Sequence, residues 1–145
     1  MISVANPVFT QAEIDAVSAV LEDGMVADGP EVRQFESEFA AYCGADHAVA
    51  TSNGTTALHA ALEALDIGPG DRVVTTPFSF VASANAIRLV GATPVFADID
   101  PVTYNMDPNL VREAASRCEK LKAIMPVDLF GQVADMDALL ELGRE

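Results

Sequence analysis

The stretch from Ala48 to Leu62, AVATSNGTTALHAAL, decides how this chain is read. Small residues lead into Ser52, Asn53, Gly54, Thr55 and Thr56, and leucines then recur at Leu58, Leu62 and Leu65, which is helical spacing. The pattern predicts a strand, a tight turn and a helix. At such a turn the first N–H groups of the helix lack intrahelical partners and sit at the positive end of its dipole, so an anion, above all a phosphate, is held there. Gly54 lets the backbone come close to that anion, and the hydroxyls of Thr55 and Thr56 can donate to it. The plainer reading is that Ser52 or Thr55 only caps a helix. The rest of the chain weighs one against the other.

Composition bounds the answer. At 145 residues, half of them hydrophobic and with no low-complexity tract, the sequence suits one domain with a core of its own. Eight Lys plus Arg against 22 Asp plus Glu give a formal charge of −14, which repels nucleic acid and anionic lipid and makes both poor partners. Cys43 and Cys118 are far apart, show no metal spacing, and each closes a helix-like segment. They read as reduced, buried thiols of a cytoplasmic protein. There is no cationic segment followed by an apolar run at the N-terminus and no apolar stretch near 18 residues, so neither secretion nor membrane spanning is expected.

In chain order, Thr10 and Glu13 form a T-x-x-E capping box, and Ile14, Val17 and Leu21 share one face before Gly24. A first helix is expected from Thr10 to Asp23. Pro30 opens a second, whose stripe of Val32, Phe35, Phe39 and Tyr42 reads as core and stops at Gly44. After the organising turn, Asp66 to Asp71 is a loop, and Arg72 to Thr76 is a strand rich in β-branched residues. Pro77 to Phe80 lead into a helix from Val81 to Val90, and Thr93 to Ala97 is the next strand. Asp107 and Pro108 cap a further helix with Leu110, Val111, Ala114 and Ala115 inward. Ala123 to Val127 is a fourth strand, followed by a loop at Gly131 and a last helix opened near Asp135. Four strands alternating with helices imply crossover connections and an α/β fold, with a mostly parallel sheet and helices on both faces.

Ligands of such sheets bind beyond the carboxyl ends of the strands. That rule gathers Ser52 to Thr55, Pro77 to Phe80, Asp98 to Asp100 and Asp128 to Gln132 on one rim. The first turn, S-N-G-T-T-A, is not G-x-G-x-x-G, and the second strand ends in Thr75 and Thr76 rather than an acid, which disfavours nicotinamide binding; a Walker A loop is absent too. A single-glycine phosphate turn beside Phe80 suits a phosphorylated flat ring.

These residues carry a resemblance. GPEVRQFESEFAAYCGADHAVATSNGTTALHAAL, GPGDRVVTTPFSFVASANAI, GATPVFADIDPVTYNMDP and PVDLFGQVADMDAL follow one another in an order that resembles the N-terminal part of the DegT/StrS-type pyridoxal-phosphate-dependent sugar aminotransferases, which have the fold type I architecture. The resemblance implies that Gly54 and Thr55 hold the phosphate of pyridoxal 5'-phosphate, that Phe80 stacks on its pyridine ring, and that Asn53 belongs to the same cofactor-binding set. It implies a parent enzyme that moves an amino group from an amino acid, glutamate or glutamine, to a keto group of a nucleotide-linked sugar. It also implies a cytoplasmic homodimer, and it makes residues 1–145 the N-terminal portion of the cofactor-binding domain.

Departures from the family pattern qualify this. The family's Schiff-base lysine and the Asp that pairs with the pyridine nitrogen match nothing here, so no catalytic residue is assigned. The chain is expected to be a fragment or truncated product, inactive alone. Lys120 and Lys122, just before the fourth strand, read as solvated charges, and His47 and His59 as structural. Arg72 stands where an acid is common in the family and Asp128 where His is common. The alternatives are a dehydratase or lyase of the same fold with the same cofactor, and a non-catalytic α/β module that keeps only the phosphate turn.

Overall fold

The computed structural model describes residues 5–144. They divide into two units, one reaching Ala50 and one starting at Thr51. In the first unit, α1 (Gln11–Asp23) and α2 (Pro30–Cys43) start and stop where their caps dictate. Glu13 reaches back to accept the Thr10 N–H at 2.6 Å and the Thr10 hydroxyl at 2.5 Å. Those bonds, the one from the hydroxyl foremost, hold its carboxyl below the usual carboxylate range. Gly24 ends α1 in the left-handed region, at φ 81°. Phe35 and Phe39 lie with ring centroids 5.7 Å apart.

The aromatic stripe of α2 is not core among the described residues. Phe35, Phe39 and Tyr42 are exposed, as are Ile14, Val17 and Leu21 of α1, and Ala40 is the buried apolar side chain of this unit. Two helices and one loop are too little chain to cover two apolar stripes. For the same reason Cys43, at the end of α2, is exposed rather than buried, while Cys118 is half-buried; both are free thiols.

The second unit is built on a three-stranded parallel sheet. Its strands are β1 (Arg72–Thr75), β2 (Thr93–Phe96) and β3 (Leu121–Ile124), in the order β2-β1-β3. The helices α3 (Gly54–Ala64), α4 (Ala82–Leu89), α5 (Pro108–Ser116) and α6 (Met136–Leu142) complete it. Successive residues of β1 point to opposite faces. Val73 joins Leu62, Ile67, Ala86 and Ile87 under α3 and α4, whereas Val74 joins Met106, Val111 and Leu139 under α5 and α6. The expected parallel sheet with helices on both faces is therefore present, and its central strand is buried throughout Val73, Val74 and Thr75. No helix among the described residues is long and apolar enough to cross a membrane.

Two strand expectations need correction. Residues 48–51 form no strand. Val49 is 81% exposed, and the Ala50 amide is taken at 2.8 Å by the Glu36 carboxylate instead of by a neighbouring strand. The last strand runs from Leu121 to Ile124 rather than from Ala123 to Val127. Arg72 pairs with Leu121 but Val73 with Ala123, so Lys122 is an extra, bulged residue. The bulge sends Leu121 and Ala123 to opposite faces although they are two residues apart. At the other end, Pro126 has no N–H with which to continue the ladder, so pairing fades after the Met125 amide reaches the Val74 carbonyl at 2.7 Å. Pro94 is tolerated because β2 is an edge strand.

Ile87 is fully buried in the cluster beneath α3 and α4. Ile87→Ala is expected to lower the unfolding free energy by about 2–5 kcal/mol, read from urea denaturation.

Candidate functional site

The α3 turn is set by a side-chain cap. Asn53, in extended backbone, accepts the Thr56 N–H on its Oδ1 at 3.0 Å, and its own carbonyl accepts the Ala57 N–H at 3.0 Å. The cap is thus Asn53, not Ser52 or Thr55. The Thr56 hydroxyl donates to the same Oδ1 at 3.2 Å and lies 3.2 Å from Ser52 Oγ, while Asn53 Nδ2 donates to Ser52 Oγ at 3.3 Å. Thr56 therefore spends its hydroxyl inside the turn. The amides of Gly54 and Thr55 precede the first intrahelical bond and find no acceptor among the described residues, and the Thr55 hydroxyl is likewise uncommitted.

These donors open on a recess of about 640 Å³ lined by Asn53, Gly54, Thr55, Leu58, Phe80 and Ala82, among others. The four residues expected to bind the cofactor are thereby brought to one place. A Cβ placed on Gly54 would meet no heavy atom within 4 Å, and its φ lies outside the left-handed region. Neither packing nor backbone strain asks for glycine there. The glycine leaves open the space in front of two unused N–H groups, which fits a phosphate held close to the backbone. Phe80 stands in the β1–α4 loop with 77% of its surface exposed, an apolar face with no packing partner among the ring contacts. Phe78, the other aromatic of that loop, is paired with Tyr104 at 6.0 Å between centroids. A phosphate turn facing a free aromatic ring fits a phosphorylated planar cofactor such as pyridoxal phosphate.

Sequence reasoning missed the apolar walls of the recess. Leu58 entered only as a mark of helical spacing; it packs on the core cluster and also lines the recess, and its position four residues after Gly54 puts it on the same helix face. The remaining rim residues do not line the recess. Asp98 accepts the Ile99 N–H at 2.8 Å, and Asp100 accepts the N–H groups of Val102 and Thr103 at 2.9 and 2.7 Å. The Thr103 bond, then that from Val102, keeps the Asp100 carboxyl below the usual range. The stability it confers on its loop is present at neutral pH and lost as pH falls through that lowered value. Asp128 accepts the Ala134 N–H at 2.9 Å and closes its own loop.

The lysines stand elsewhere. Lys120 and Lys122 are exposed at the amino end of β3, opposite the strand ends that carry the α4 loop and the recess, and the Lys120 carbonyl accepts the Arg72 N–H at 3.0 Å. Among the described residues, His59 pairs with Glu63 one turn on, at 3.4 Å, and no group of His, Cys, Asp and Glu is placed to hold a metal.

Comparison with known proteins bears on family and fold. The sequence model of the DegT/DnrJ/EryC1/StrS aminotransferase family matches residues 7–145. The chain is 49% identical over 138 residues to the spore coat polysaccharide biosynthesis protein SpsC of Bacillus subtilis, covering 95% of this chain and 35% of that protein. It is 46% identical over 144 residues to GDP-perosamine synthase of Caulobacter vibrioides, covering 99% and 38%. Among solved structures, Spr1654 of Streptococcus pneumoniae in its PLP form superposes with a TM-score of 0.91 at 37% identity, over 97% of this chain and 36% of that one. The chain spans little more than a third of the length of the relatives it matches.

The cap and the open donors separate by mutation. Asn53→Ala is expected to cost about 1 kcal/mol in urea denaturation. Thr55→Ala, which removes a hydroxyl with no partner in the chain, is expected to change stability by less than about 0.5 kcal/mol while weakening phosphate binding at the turn.

Proposed function

We propose, on the premise that the chain belongs to the DegT/DnrJ/EryC1/StrS aminotransferase family, that it is the N-terminal portion of the cofactor-binding domain of a pyridoxal-phosphate-dependent sugar aminotransferase. The observation that carries this reading is the recess that collects Asn53, Gly54, Thr55 and Phe80. The amides of Gly54 and Thr55, with the Thr55 hydroxyl, hold the cofactor phosphate. Phe80 covers one face of the ring. Asn53 orients the turn by capping, since its own amide is occupied. Pyridoxal phosphate, when bound, supplies the electron sink for proton loss beside an amino group. These residues fix its position and shield one face from water.

In this reading the enzyme moves an amino group from glutamate or glutamine to a keto group of a nucleotide-linked sugar. Support comes from the likeness to GDP-perosamine synthase. The lysine that such chemistry needs is supplied outside these 145 residues, since Lys120 and Lys122 stand at the wrong end of the sheet. The two free thiols fit a reducing, cytoplasmic setting. The exposed apolar faces of α1 and α2 suit burial in a homodimer.

Titration of the chain with pyridoxamine phosphate is expected to move the amide signals of Gly54 and Thr55 together with the Phe80 ring signals, with a millimolar Kd of about 4 kcal/mol. Inorganic phosphate should move the same amides but leave the ring unchanged. Phe80→Ala should weaken the first ligand and spare the second. Shifts that map outside residues 52–58 and 80 would overturn the site assignment. Pyridoxal phosphate should give no saturable long-wavelength absorbance with this chain. A stoichiometric band abolished by Lys120→Ala or Lys122→Ala would show that one of those lysines is the reactive one.

A further inference from the structure

Asn105 is an asparagine 96% removed from solvent by burial, at 4% exposure, in a loop that should be wet. Its Nδ2 donates to two consecutive carbonyls, Gln132 and Val133, at 3.0 Å each. Both amide hydrogens are thereby used. Its Oδ1, buried as well, has no partner. A buried orphan oxygen carries a desolvation cost, which the two donor bonds of the same side chain offset.

Those donors join two loops that are otherwise closed on themselves. The loop after β2 is fastened by the Ile99–Met106 bridge, by Tyr104 N–H to the Asp100 carbonyl at 2.8 Å, and by Asp100 N–H to the Asn105 carbonyl at 2.9 Å. The loop after β3 is fastened by Gly131 N–H to the Asp128 carbonyl at 3.2 Å and Ala134 N–H to the Asp128 carboxylate at 2.9 Å. Because β2 and β3 flank β1, two loops that leave their carboxyl ends and meet must do so across the end of the central strand. Ala97, Met106 and Ala134 fill the space beneath them as part of the cluster under α5 and α6.

We propose that Asn105 is a latch that makes the loops after β2 and β3 open and close as one unit across the carboxyl end of β1, and so positions the segment 128–132 at the rim of the ligand-binding end. The coupling of the loops stands on the hydrogen bonds alone. The value of that position to a ligand rests on the functional reading above.

Native-state hydrogen exchange tests the latch. In the unmodified chain, the amides of Asp100 and Tyr104 and those of Gly131 and Ala134 are expected to exchange through one opening with a common denaturant dependence. Two distinct openings would overturn the proposal. Asn105→Leu then separates latch from filler. Leucine matches the asparagine in shape and removes the orphan oxygen, so a residue that merely fills space would leave protection unchanged or raise it. A latch would lose roughly ten- to a hundredfold protection at Gly131 and Ala134, as expected for two ordinary hydrogen bonds, while the Val73 and Val74 amides of β1 keep theirs. If the variant does not fold, the measurement on the unmodified chain still decides. A failed phosphate titration at Gly54 would leave this result untouched, so the two readings fall separately.

Discussion

The α3 turn and the recess it faces depend on one hydrogen bond, from the Thr56 N–H to Asn53 Oδ1. By satisfying the third amide of α3 from within the turn, Asn53 decides which donors remain. The amides of Gly54 and Thr55 stay open, and a Cβ on Gly54 would meet nothing within 4 Å. A serine cap could bond the same amide. Asparagine in addition engages Ser52 through Nδ2, which ties the loop before the helix to its first turn. The helix itself is held from behind, because Leu62 and Leu58 pack on the cluster that contains Val73 and Ile87. The open donors are therefore mounted on a buried element rather than on a free loop, and preorganisation of that kind lowers the ordering cost of binding.

Much of this was legible in the sequence, because local rules governed it. Helix starts at Thr10, Pro30, Asp107 and Asp135 are cap chemistry, and the strands at Arg72 and Thr93 are runs of β-branched residues closed by turn formers. The four residues expected to bind the cofactor, from a turn rule and a family resemblance, share one recess. What failed was non-local. Residues 48–51 have the composition of a strand, but a strand exists only when something pairs with it, and periodicity carries no record of the partner. The same holds for the stripe of Phe35, Phe39 and Tyr42, which has the spacing of core and no cover among these residues. The shift of β3 came from a bulge at Lys122, a feature of register that composition does not encode. Asn105 was invisible for a related reason, since its partners lie 27 and 28 residues away.

The acids of the rim are a case where sequence suggested chemistry and structure returned architecture. Asp98, Asp100 and Asp128 each accept backbone N–H groups of their own loops. Carboxylates used this way are fixed acceptors, and Asp100 is held in its charged form by two such bonds. The loops beyond β2 and β3 thus gain rigidity from the same residue type that gives the chain its acidity. That leaves the recess, rather than the rim, as the place where an external group finds unused donors and an unpaired ring.

A phosphate site on a chain of charge −14, as proposed for the α3 turn, looks contradictory until distances are considered. At physiological ionic strength charges are screened over about 8 Å, so acids beyond that range contribute little to the potential at Gly54. Within it, the partial charge of the α3 N-terminus and two N–H donors act at contact distance. No acidic residue falls in the first turn of α3, whereas α1, α2 and α6 each carry one there. The first turns of α4 and α5 carry none either; α3 is among these three, and its first-turn residues Gly54 and Thr55 line the recess. The global charge disfavours nucleic acid, whose binding sums many contacts over a wide surface. A single phosphate reads only the turn in front of it, so one acidic chain can reject a polyanion and still hold a small phosphorylated ring.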